Sequence, residues 1–242
     1  MSTPTLFGIH YSPWSLRARW ALDHHGVDYR YREHTPLLGE WGLRFRSRKR
    51  VGSGPVTVPL LVLPERAIDD SFEIMCFADE VGEGEPLRAS YPDVAMFING
   101  LESAYDAARR RVTRRILGDK NALKEAAAAA VPAWLAGPSR PVAAMGTRFI
   151  ARKYGFDPDA SETSHVLQEA LDKVRDALGD GPYIDESFSA KDIAAACLVG
   201  AIRPHESLCL GPAMRAAWTH EEFAEGYRGL VEWRDGLFAE PA

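Results

Sequence analysis

The chain is 242 residues long, 46% hydrophobic and 26% charged, with a net charge of −5 and three cysteines. That is enough apolar material for one large domain or two ordinary ones, and the slight acidity argues against nucleic acid as a partner, because phosphate-binding surfaces are usually strongly basic. No apolar run reaches the ~18 residues of a membrane span, the first residues lack a basic, long apolar leader, and Cys76, Cys197 and Cys209 fit neither a disulfide framework nor a cysteine metal site, so a cytoplasmic globular protein without a metal is expected.

Residues 5 to 80 alternate strand and helix signals. Leu6–Tyr11 is an apolar run of strand length, and Ser12-Pro13 reads as a helix start, with serine at the N-cap and proline at the first helical position. Gly26 stands where that helix should stop. Val27–Arg32 alternates apolar and polar residues, the pattern of a half-buried strand. Leu38–Arg50 is basic and aromatic without a clean period, and it runs into the flexible Gly52-Ser53-Gly54-Pro55. Val58–Leu63 reads as a third strand with Pro59 near its start or at an edge. Ala67-Ile68 is a short fourth strand, and Asp70-Ser71-Phe72-Glu73 opens another helix with a cap and an acid three residues on.

From Tyr91 onward strand signals almost vanish. Pro92, Pro132, Pro141 and Pro158 punctuate alanine-rich helical segments. The best-marked helix start is Phe188–Ile193, where Ser189 and Asp192 form a capping box and Phe188 can staple onto Ile193. The chain therefore divides into an α/β domain, residues 1–82, and an all-helical domain, residues 90–242, joined at 81–86.

The first helix start concentrates the candidate chemistry. Its free amides and its dipole favour negative charge, and a thiolate is such a charge, one that needs help to form because free thiols titrate near ~8.5. Ser12 can simply cap the helix, or its hydroxyl can donate to an anion; the local sequence leaves both readings open.

The ordered set Ser12-Pro13-Trp14-Ser15-Leu16-Arg17-Ala18-Arg19, Val58-Pro59, Asp70-Ser71-Phe72-Glu73-Ile74 and Gly181-Pro182-Tyr183 through Ile193 resembles the cytosolic glutathione S-transferase superfamily, in its serine-type, bacterial-like form. The resemblance implies a thioredoxin-like α/β domain followed by an all-α domain. It implies an enzyme that takes glutathione as co-substrate and activates its thiol against a small, largely apolar electrophile, in detoxification, as a homodimer. Ser12 matches the thiolate donor, with the helix terminus assisting. Val58, before an implied cis-proline at Pro59, matches the binder of the cysteinyl part. Asp70 and Ser71 match the pair that holds the γ-glutamyl end, although the family often has glutamate where Asp70 stands. Residues 51–57 also depart from the family's usual loop.

With no cysteine at 12 or 15, the thiol must come from the substrate. Tyr11 is a second candidate hydroxyl; strand alternation would turn only one of Tyr11 and Ser12 into the site, and the Arg17-Ala18-Arg19 register favours Ser12, with Ser15 third. Arg50, from the basic run Arg44 to Arg50, is the candidate for glutathione's glycine carboxylate. Arg109, Arg110, Arg111, Arg114 and Arg115 wrap around one helix and should mostly face water, with Arg111 and Arg115 on one face. Tyr105 and one of these arginines would touch an acidic electrophile if that helix faces the cleft. Trp134, Phe149, Tyr154 and Trp218 read as core, and His24-His25 as cations at a helix C-terminus. The alternatives are a non-catalytic ligand- or protein-binding relative, and glutathione-dependent isomerase or peroxidase chemistry.

Overall fold

The computed structural model describes residues 3–35, 39–49, 56–130 and 164–239. Arg50, the loop 51–55, Trp134, Phe149 and Tyr154 lie outside the described residues.

Strand β1 (Thr5–Gly8) is shorter than the apolar run around it. The Ser12 amide donates back to the Ile9 carbonyl at 2.9 Å, so residues 9–12 form a turn, and strand alternation no longer governs Tyr11 and Ser12. Helix α1 (Pro13–His24) follows with proline at its first position, and it stops at Gly26, whose φ of +60° only glycine adopts cheaply. Strand β2 (Arg30–Glu33) starts later than the alternation suggests and buries little, because it is the sheet's edge with a single neighbour. The aperiodic basic stretch contains helix α2 (Glu40–Arg46) and a 3₁₀ turn at Ser47–Lys49. Strands β3 (Leu60–Val62) and β4 (Ala67–Ile68) complete a sheet ordered β2-β1-β3-β4, with β1 parallel to β2 and the other two pairings antiparallel. Pro59 sits just ahead of β3, where its missing N–H costs no ladder bond. Helix α3 (Ser71–Val81) closes the α/β part.

The described helical part holds α4 (Pro92–Asn99), α5 (Glu102–Gly118), α6 (Lys120–Ala130), α7 (Ser164–Leu178), α8 (Ala190–Gly200), α9 (Pro212–Trp218), α10 (Glu221–Gly226) and α11 (Arg228–Ala239). The capping box at α8 forms as its sequence suggests. Asp192 Oδ2 accepts the Ser189 amide at 2.8 Å, and Oδ1 reaches further, to the Ile184 amide at 2.8 Å.

One hydrophobic core crosses from the α/β part into the helices. Leu6, Leu22, Ile74 and Met75 share it with Leu101, Leu171, Ile193 and Leu198, and α1 packs on α3 and on α8. The segment after α3 is tied down by Asp79, whose two carboxylate oxygens accept the amides of Leu87 (2.7 Å) and Ala89 (2.9 Å). The Leu87 carbonyl in turn accepts the Ala190 amide at 2.9 Å. A second cluster, built on Val112, Ile116, Ala122, Met214, Ala217 and Trp218, stands apart from the main core.

Two expectations about charge are corrected. Arg111 does not face water. It is buried and donates to the carbonyls of Trp218 (3.2 Å) and Thr219 (2.8 Å), and Arg115 also donates to Thr219 (2.8 Å). The shared face of the two arginines thus supplies cations to the carbonyl end of α9. His25 is not a helix-terminal cation: it is buried, and burial pushes its pKa down.

Candidate active site

A cleft of about 330 Å³ opens between the sheet end of α1 and the face of α5. Ser12, Val58, Asp70 and Ser71 all line it, so residues up to 59 positions apart in sequence meet around one space. Tyr11 lines it too, because both residues belong to the turn before α1 rather than to a strand.

Ser12 occupies the N-cap of α1 with extended backbone (φ −73°, ψ 127°), yet its side chain makes no cap hydrogen bond. The plain capping role is therefore not realised. With proline following, the first amides of α1 are left without a side-chain acceptor, a local concentration of positive dipole beside a hydroxyl. Ser15 is excluded as a working hydroxyl: it is fully buried and its Oγ accepts the Ile9 amide at 3.1 Å. The Val58–Pro59 peptide bond is cis, as the resemblance implies, and both residues line the cleft.

Asp70 and Ser71 sit at the N-terminus of α3. Asp70 Oδ1 accepts both cap bonds, from Phe72 (2.8 Å) and Glu73 (3.0 Å), which leaves Oδ2 outside the cap. The Ser71 hydroxyl is buried and accepts two donors from Arg17, Nε at 3.2 Å and Nη2 at 2.6 Å. Both of its lone pairs are thereby engaged, so its own proton must point to a further acceptor. Arg17 Nη2 also meets Glu102 Oε1 at 2.8 Å, and Glu102 Oε2 accepts the Trp14 indole N–H at 2.9 Å. Glu102 thus ties α5 to α1 at the floor of the cleft. Sequence reasoning missed Glu102 and used Arg17 only to set register; the nearest signal was an arginine placed among apolar residues of α1, which demands a buried acceptor.

On the helical side, α5 presents Tyr105, Ala108, Arg109, Val112, Thr113 and Ile116 at helical spacing. Tyr105 does not offer its hydroxyl to a ligand, since that group donates to the Ala194 carbonyl at 2.5 Å. Arg109 pairs with Asp106 (2.6 Å) and stacks over Trp14. Trp218 is both core and wall: it is buried in the second cluster and lines the cleft. The exposed arginines 44, 46 and 48 do not line the described cleft, and Arg46 and Arg48 stack instead over Phe7 and Phe45. Among the described residues no cluster of side chains could hold a metal ion.

Residues 11–81 match the family described as glutathione S-transferase, N-terminal domain. Over its length the chain superposes on a glutathione S-transferase from Methylobacterium radiotolerans, solved in complex with glutathione sulfonate, with a TM-score of 0.54 and 17% identity, covering 99% of this chain and 92% of that one. It has the glutathione S-transferase fold. A second glutathione S-transferase, from Methylobacillus flagellatus and solved with glutathione bound, matches with a TM-score of 0.58 at 14% identity, over 98% and 96% of the two chains. In sequence the chain is 26% identical over 242 residues to glutathione S-transferase U13 of Arabidopsis thaliana, covering 99% of this chain and 88% of that protein. The N-terminal match and the fold agree on a thioredoxin-like α/β part followed by a helical part, the arrangement of glutathione S-transferases.

Proposed function

We propose that this protein is a serine-type glutathione transferase that activates the glutathione thiol for attack on a small, largely apolar electrophile. The observation that carries this reading is the uncommitted Ser12 hydroxyl at an uncapped helix N-terminus, in one cleft with Val58, Asp70 and Ser71.

Each group has a task that fits its surroundings. The Ser12 O–H donates to the sulfur, and the α1 amides favour the thiolate over the thiol. Backbone groups beside the cis Val58–Pro59 bond hold the cysteinyl unit. Asp70 Oδ2, free of the cap, receives the γ-glutamyl ammonium, and the Ser71 proton, turned away from Arg17, donates to the α-carboxylate. The thiolate forms a bond to the electrophilic carbon while the displaced electron pair leaves with the departing group or moves onto the acceptor. The bound glutathione of the Methylobacillus flagellatus relative supports glutathione as the co-substrate here. The resemblance also carries a homodimer, which light scattering tests.

Titration calorimetry with glutathione, paired with conjugation of an aryl halide, tests the reading. Binding together with turnover is expected, and Ser12→Ala is expected to lower kcat/KM roughly 100-fold and to raise the pKa of the bound thiol. An Ala variant with full activity removes Ser12 from its role; absence of glutathione binding overturns the whole reading in favour of a non-catalytic relative.

A further inference from the structure

Tyr11 belongs by sequence to the α/β part but packs into the helical part. Its ring joins the second apolar cluster, with Val112, Ile116 and Met214, and meets Trp218 edge-on at 5.7 Å between centroids. Tyr11 lines the same cleft as Ser12, and its hydroxyl makes no hydrogen bond among the described residues. Ser12, one residue on, stands at the α1 terminus with the Val58, Asp70 and Ser71 group. Two neighbouring hydroxyls thus serve different walls: one among the groups assigned to glutathione, the other among apolar side chains where the second substrate would lie.

We propose that Tyr11 is the hydrogen-bond donor to the electrophile, and that it selects substrates whose reaction drives an electron pair onto oxygen, such as α,β-unsaturated carbonyl compounds. The proposal rests on the glutathione-transferase reading of the cleft. In the step, the glutathione sulfur forms a bond to the β-carbon, the C=C pair shifts toward the carbonyl, and the carbonyl π pair settles on oxygen as an enolate. The Tyr11 O–H meets that developing charge, and the α-carbon then takes a proton from water. Burial pushes the Tyr11 phenol up to about 12, so the proton is present at neutral pH. Its apolar surroundings strengthen the bond to the enolate oxygen more than water would.

The test compares wild type and Tyr11→Phe on two electrophiles: an aryl-substituted enone, and benzyl chloride, whose electron pair leaves on chloride. The ratio of kcat/KM, enone over benzyl chloride, is expected to fall roughly 100-fold in the variant. An unchanged ratio overturns the proposal and leaves Tyr11 as wall alone. The pKa of bound glutathione, read by thiolate absorbance, gives an independent measurement that also reports an intact site. A rise in Tyr11→Phe like that expected for Ser12→Ala assigns the phenol to the thiol and overturns the proposal. Absence of glutathione binding in the wild type is a separate result, because it removes the enzyme reading before Tyr11 is asked anything.

Discussion

At Arg17 a guanidinium is only 1% exposed, and what makes that tolerable is the arrangement of acceptors around it. Ser71 takes two of its N–H bonds and Glu102 a third contact, while the Tyr105 ring lies 5.5 Å away. Ser71→Ala removes an acceptor from a buried cation and, under the proposed function, a donor from glutathione. We expect glutathione affinity to drop roughly 10- to 100-fold, the equivalent of about 1.5–3 kcal/mol, measured by calorimetry. His25 predicts a pH dependence. Its Nε2 lies 3.1 Å from Asp79 Oδ1 without the geometry of a hydrogen bond, and burial holds its folded pKa below the unfolded value. As pH falls through about 6.5, the unfolded chain takes up a proton that the folded one refuses, so stability declines until the lower folded value is passed. His10 has the opposite sign: its hydrogen bond with Glu33 raises its pKa, so its contribution is present in acid and is lost as pH rises through that raised value. His25→Leu should flatten the acid-side loss in urea midpoints measured across this window; an unchanged slope assigns the dependence elsewhere.

The elements differ in how much of themselves they show in the sequence. α1, α3 and α8 are marked by residues that act locally: proline at the first turn of α1 and Gly26 at a positive φ after it, Asp70 as a two-amide cap, and the Ser189–Asp192 box. Asp192 is the clearest case, and Asp192→Ala would orphan the Ser189 and Ile184 amides together. Roughly 3 kcal/mol of stability should go with it, read by urea unfolding, whereas Glu186→Ala, at an exposed position of the preceding loop, should cost far less. What stayed hidden depends on partners distant in sequence. The length of β1 is set by where its neighbours end, the turn at 9–12 by an amide returning to Ile9, and the fate of Arg111 by carbonyls more than 100 residues away. The candidate site divides the same way. Ser12, Val58, Asp70 and Ser71 were legible from local motifs and resemblance. Glu102 and the Tyr11 wall were not, because their surroundings exist only once α1, α5 and α9 are packed.

Across the whole molecule the continuous core argues that the two parts unfold together. With Leu6 and Ile74 sharing one buried cluster with Ile193 and Leu198, neither part completes its interior alone. A single calorimetric transition is expected, and two separable peaks would contradict the shared core. Asp79→Ala should lower that one transition, since two amides of the connecting segment lose their acceptor at about 1–3 kcal/mol each. The second cluster leads elsewhere. Val112, Ile116, Met214 and Trp218 form a satellite outside the main core, and they also face the cleft. Substitutions there perturb a small, separate set of contacts, so their effects on folding should stay nearly additive and modest. A lineage carrying this fold could therefore change which molecules it accepts by drifting at these positions, with the scaffold's tolerance for mutation largely intact.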